Sequence, residues 1–232
     1  MTELDHAAVL DAFGTGYRKV TDVVTGLSEA ELMLPSGCAG WAVTDVLYQQ
    51  LLDAQRALVA FATPATGPAD RDDVTYWAAF APQDGEAGAR ARAGAAAHAR
   101  FVRVAASAYP PGTLARVWSE TAAAAVRAAR ACPAAAVATQ GHVLRPADFT
   151  ATLAVETAVH YLDLTVSLPS APPPDPASLA LVRRVLDGLA GTPLPASWDD
   201  ASAAVKGTGR VPLADGDRAL LGPLAERVPL LC

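Results

Sequence analysis

In VETAVHYLDL, residues 155–164, Glu156, His160 and Asp163 fall at intervals of four and three. On an α-helix those intervals stack a carboxylate, an imidazole and a second carboxylate along one face. Two kinds of chemistry use such a line. An imidazole nitrogen and a carboxylate oxygen one turn apart are donors for zinc and similar divalent ions, and helical bundles assemble such sites from facing helices. The same side chains can equally form a hydrogen-bonded polar core without an ion. One Glu–His pair at this spacing does not choose between them.

The helix that carries the line spans 147–168. Placed at 100° per residue, Phe149, Leu153, Glu156, His160, Asp163, Leu164 and Ser167 share one face. Val155, Val159, Leu162 and Val166 form a second apolar stripe beside it. A helix apolar over most of its circumference is buried, and interior charges must be paired or metal-bound. A facing element is available at 43–63, VTDVLYQQLLDAQRALVAFAT, where Val43, Val46, Leu47, Leu51, Leu58 and Phe61 recur at helical spacing. Tyr48-Gln49-Gln50 interrupts that pattern, and Asp53 lies one turn beyond Gln49. Gln49 and Gln50 are read either as donors toward the line or as a hydrogen-bonding pair inside a bundle.

The remaining segments are also helical. Helices are predicted over 4–27, 85–108, 113–131 and 177–190, with SEAE (28–31) a capping box that opens a short turn. Those beginning near Leu4, Val43, Gly85 and Ala147 are taken as the bundle. DDVTYWAAFAP (72–82) is an aromatic connection, and AVATQGHVLRP (136–146) a loop or short extended piece. APPPDP (171–176) is a proline-rich linker. The fold class is therefore all-α: an antiparallel four-helix bundle with an additional helix and a small C-terminal helical region. The expected division is a bundle domain over 1–170 and a linker with the small region over 171–232.

Composition narrows the function classes. Of 232 residues 52% are hydrophobic, enough for a substantial core, and alanine runs favour helix over sheet. A formal charge of −6 without a basic stripe gives nucleic-acid binding no support. MTELDHAAVL lacks a leader pattern, and no apolar run reaches the roughly 18 residues of a membrane span. A cytoplasmic protein without membrane partners, monomer or homodimer, is expected. Cys38, Cys132 and Cys232 are too widely and irregularly spaced for a disulfide framework or zinc ribbon, and are read as reduced thiols.

Two segments together resemble a known family. CAGWAVTDVLYQQLLDAQRAL (38–58) is similar to the Cys-x-Gly-Trp turn and Val-x-Asp helix of the mycothiol-dependent maleylpyruvate isomerase-like proteins, which are DinB-like four-helix bundles. GHVLRPADFTATLAVETAVHYLDL (141–164) is similar to their Glu-x3-His-x2-Asp helix, and KGTGRVPLADGDRALLGPLAERVPLL (206–231) to their C-terminal regions. The resemblance implies a divalent metal, zinc first, held by three ligands. Two match Glu156 and His160; the third, a family His, falls on Gln49. An amide oxygen in place of imidazole weakens the expected zinc binding or leaves a harder site completed by Asp53 or water. Asp163 matches a family Asp and would orient its neighbours. The implied activity is a metal-assisted isomerase or S-transferase that brings mycothiol or a similar low-molecular-weight thiol onto a small electrophile. The rival is a catalytically silent bundle that has lost a ligand and binds a small molecule or protein partner.

Other candidates are weaker. Lys206-Gly-Thr-Gly-Arg210 lacks P-loop spacing and is read as a helix C-cap at Gly207 with solvated charges. Trp41 and Trp77 can line a pocket or fill a core. Cys38 precedes a helix start, where thiols can become acidic, though a packed thiol is the simpler reading. His142 is read as a surface loop residue. His6 and His98 have no visible partner, and no serine-nucleophile or Rossmann motif is present.

Overall fold

Pro146 starts the helix that organises the molecule. Its fixed φ and missing N–H suit a first helical position, and the helix runs Pro146–Thr165. It is one of nine α-helices that the computed structural model places among the described residues, 4–80 and 85–231. In chain order they are α1 (His6–Val24), α2 (Glu29–Leu32), α3 (Val43–Phe61), α4 (Gly85–Ser107), α5 (Thr113–Ala131), α6 (Pro146–Thr165), α7 (Pro176–Ala190), α8 (Asp200–Gly207) and α9 (Asp215–Leu221). Short 3-10 helices lie at Thr75–Phe80 and Gly222–Arg227. The chain is an all-α bundle. Its only described sheet is a small antiparallel hairpin, β1 (Val137–Thr139) with β2 (His142–Leu144), in the segment read as loop or extended. No described helix is long and apolar enough to cross a membrane.

The four bundle helices are α1, α3, α5 and α6. Each packs against two others, α6 against α1 and α3, and α5 against the same two. This corrects the expected set, in which α4 stood where α5 does. The reason lies in the faces. Leu114, Ala115, Trp118, Ala122, Ala125 and Ala129 give α5 a continuous buried stripe. The rings of Trp118 and Tyr17 lie 5.0 Å apart, and the indole N–H donates to Thr21 Oγ1 at 3.0 Å. On α4 the described buried residues are Gly88, Val102 and Ala106. It is the additional helix, laid against α3.

The linker is tied down. Pro172 and Pro173 carbonyls accept from Tyr161 and Lys19. Pro176, read as linker, instead opens α7 behind the Asp175 cap. Leu179, Val182 and Leu186 of α7 join the same apolar core as Leu47, Trp118 and Phe149, so the core runs on into the C-terminal region. Ala81 and Pro82 of the aromatic connection, and Cys232, lie outside the described residues.

Gln50 departs from its expected role. It is 1% exposed, and neither amide atom has a hydrogen-bond partner among the described residues. A buried amide without partners is destabilising by about 1–3 kcal/mol. Gln50→Leu, close in volume, is therefore expected to raise unfolding free energy by about 1–2 kcal/mol. Urea denaturation measures it; a lowered midpoint would show that the amide is bonded in solution.

Candidate functional site

The site begins where the 35–42 turn meets the last turn of α6. Gly37 N–H donates to the Asp163 carbonyl at 2.8 Å. A Cβ at Gly37 would stand 2.9 Å from Asp163 Cα, so this approach demands glycine. Gly40, at φ +77°, closes the turn and lets Trp41 N–H reach the Cys38 carbonyl. The Cys38 thiol is thereby set 3.3 Å from Asp163 Oδ2 and 4.0 Å from His160 Nδ1.

His160 is held from both sides. Nδ1 donates to Asp163 Oδ2 at 3.0 Å, and Nε2 lies 3.3 Å from Glu156 Oε1. Arg210, just beyond α8, grips Asp163 with two hydrogen bonds, Nε to Oδ1 at 2.8 Å and Nη2 to Oδ2 at 2.6 Å. Burial, the largest influence on Asp163, raises its carboxyl, but hydrogen bonds from His160 and Arg210 with their charges bring it down to about 2. Burial likewise opposes the His160 cation. Hydrogen bonds to Asp163, Cys38 and Glu156 overcome it and hold the imidazolium well above its ordinary range. Glu156 is lowered, its burial outweighed by His160.

A cavity of about 540 Å³ opens beside this cluster. Gln49, Asp53 and Glu156 line it, with Tyr76, Trp77, Phe80 and Phe149 as an aromatic wall. Gln49 bridges two helices: its Nε2 donates to Asp53 Oδ2 at 3.1 Å, and its Oε1 accepts from His98 Nε2 of α4 at 2.7 Å. Arg56 donates to the other Asp53 oxygen at 2.9 Å. Burial first, then the Glu156 charge, push the Asp53 carboxyl up to about 7. Two carboxyl groups thus share one cavity, and a cation between them would relieve their repulsion.

The donors fit a divalent ion. Asp163 holds a proton on His160 Nδ1, the carboxylate–histidine pairing that leaves Nε2 to a metal once the ion has displaced the proton shared with Glu156. A gap of 3.3 Å between Nε2 and Glu156 Oε1 suits two ligands of one small ion with bonds of about 2.0–2.2 Å. A second grouping uses the other ring nitrogen: Cys38, His160 and Asp163 bring donor atoms within 4.8 Å of one another and could hold a metal ion. There the Asp163 carboxylate already faces the Arg210 guanidinium, so an added cation would meet a resident one. On the Nε2 side Glu156 pairs with His160, while Asp53 likewise already faces a guanidinium, that of Arg56.

Gln49, Asp53 and Glu156 line one cavity, and His160 and Asp163 stand directly behind Glu156. Trp41 shapes the turn, while Trp77 lines the cavity. His98 has a partner after all, Gln49, supplied by tertiary packing across 49 residues. Arg210 is no solvated charge: its side chain is 19% exposed and reaches back to α6. Lys206 pairs with Asp217 at 2.6 Å and lies over the Trp198 ring. α8 does end at Gly207, with Thr208 as its C-cap. His142 sits in β2, 3.2 Å from Asp70. No local spacing signals the His98 or Arg210 contacts, since each joins segments distant in sequence.

Neither a curated protein nor a solved structure matches the chain. A family model does: the mycothiol maleylpyruvate isomerase N-terminal domain matches residues 13–165, from α1 through the last turn of α6. That span carries the 35–42 turn, Gln49, Asp53 and the Glu156–His160–Asp163 line, and it covers well over half of the sequence, so the chain belongs to the mycothiol maleylpyruvate isomerase N-terminal domain family.

Proposed function

We propose that this protein is a metal-assisted isomerase or S-transferase that uses a low-molecular-weight thiol, mycothiol, on a small electrophile. The observation that carries the reading is Glu156, which lines a cavity large enough for a small substrate and pairs with His160, itself held by Asp163. Glu156 and His160 Nε2 would hold a divalent ion, zinc first. Asp53 would supply a further oxygen, kept in place by Gln49. A bound ion would lower the proton affinity of the thiol or polarise a carbonyl. The chain's own residues do the rest. Asp163 and Arg210 fix the imidazole, and the aromatic wall excludes water around an apolar substrate body.

The silent-bundle reading draws on Gln49, whose amide is spent on His98 and Asp53. Metal analysis of protein purified without a histidine tag, paired with a thiol-consumption assay on an α,β-unsaturated carbonyl, separates the two. About one ion per chain and chelator-sensitive turnover support the enzyme. Neither metal nor turnover supports the silent bundle.

A further inference from the structure

Beyond these residues, the geometry points to His98 of α4 as an additional metal donor, completing the proposed ion site from a helix outside the four-helix core. The inference rests on the metal reading above. Among the described residues, α4 meets the cavity with Ala91, Gly94, Ala95 and His98, one helical face. Three of these are small and leave the cavity open. His98 alone on that face carries a donor atom. Its Nε2 lies 2.7 Å from Gln49 Oε1, and the Nε2 of the same amide lies 3.1 Å from Asp53 Oδ2. One amide thus separates an imidazole from a buried carboxylate that shares its cavity with Glu156.

An exposed His–Gln pair on a surface needs no further role. This pair differs because its amide is anchored on a 5% exposed aspartate and its imidazole lines the cavity wall. Turning from Gln49 to an ion would give two imidazoles and two carboxylates, His98, His160, Asp53 and Glu156, from α3, α4 and α6. Zinc accepts four such ligands and can expand to five when a substrate atom joins. Binding would then pin α4, which has few buried residues of its own, across the cavity.

The test is titration of metal-free, tag-free protein with cobalt(II), followed by visible absorption, for wild type, His98→Ala, His98→Gln and His160→Ala. Hydrogen exchange of α4 is followed in parallel. Thermal midpoints of the metal-free proteins are measured alongside, and His98→Gln, which keeps a hydrogen-bonding side chain beside Gln49, separates loss of that bond from loss of a metal donor. The expected result is one cobalt per wild-type chain and at least about tenfold weaker binding by both His98 variants. The absorption band should change, and added imidazole should partly restore it in His98→Ala. Metal should slow exchange in α4 of the wild type alone. Wild-type affinity and spectrum in both His98 variants, with binding still lost in His160→Ala, would overturn the role of His98 and leave the metal reading intact. A wild type that binds no cobalt would overturn both.

Discussion

Arg210→Met should destabilise the protein by about 3–5 kcal/mol, the range seen when one partner of a buried ion pair is removed. The Asp163 side chain is 1% exposed, and both its oxygens take hydrogen bonds from Arg210. Methionine keeps much of the apolar stem but leaves the carboxylate, among the described residues, with His160 and Cys38 as side-chain partners. Urea denaturation at neutral pH measures the loss. Asp163→Asn in the Arg210→Met background should recover part of it, because the uncompensated charge is gone. A loss below about 1 kcal/mol would place the pair among surface-like bridges. Acid should act in the same direction. The folded carboxyl, at about 2, lies below the ordinary value of about 3.9 for an unfolded aspartate. Its contribution, on the order of 2–3 kcal/mol, is therefore full above about pH 5 and is lost as pH falls through about 2. In Arg210→Met this acid limb should be much shallower.

His160→Ala should abolish measurable binding of a divalent ion, a larger loss than the roughly 10–100-fold expected when an outer partner is removed. Asp163→Asn should fall within that smaller range, since Asp163 acts through the imidazole. Gln49→His should move affinity the other way, by placing an imidazole where a neutral amide stands. Calorimetric titration of metal-free protein with zinc ranks all three. Equal, tight zinc binding by wild type and Gln49→His would show that Gln49 is no defect. Absence of binding by both would reduce Glu156 and His160 to a hydrogen-bonded pair.

The periodic parts of this chain were readable because a buried face leaves a pattern. α3, α5 and α6 begin within a residue of where spacing and proline put them, and the Ser28–Glu31 capping box forms as its residues require. Which helices join the bundle was less readable. α4 has good intrinsic helix formers but little to bury, and helix propensity says nothing about partners. The site divides in the same way. The Glu156–His160–Asp163 line follows from one helix alone. Arg210 and His98 reach it from segments whose own sequences offer only a glycine-rich turn and an alanine-rich surface helix. Gln50 shows the opposite failure: the interruption was visible, but not that the amide would be buried without a partner.

The grip of Arg210 on Asp163 also sets an order of events during synthesis. The two residues are 47 positions apart, so at about 5–20 residues per second a ribosome delivers the carboxylate roughly 2–9 seconds before its guanidinium. Through that interval the four bundle helices can gather, but Asp163 has no arginine and the cavity lacks the wall formed by Arg210 and Leu231. A nascent chain at this stage should hold the cleft without that side of its lining. Newly made protein should therefore become resistant to protease only after residue 210 has emerged, well after the last bundle helix is complete.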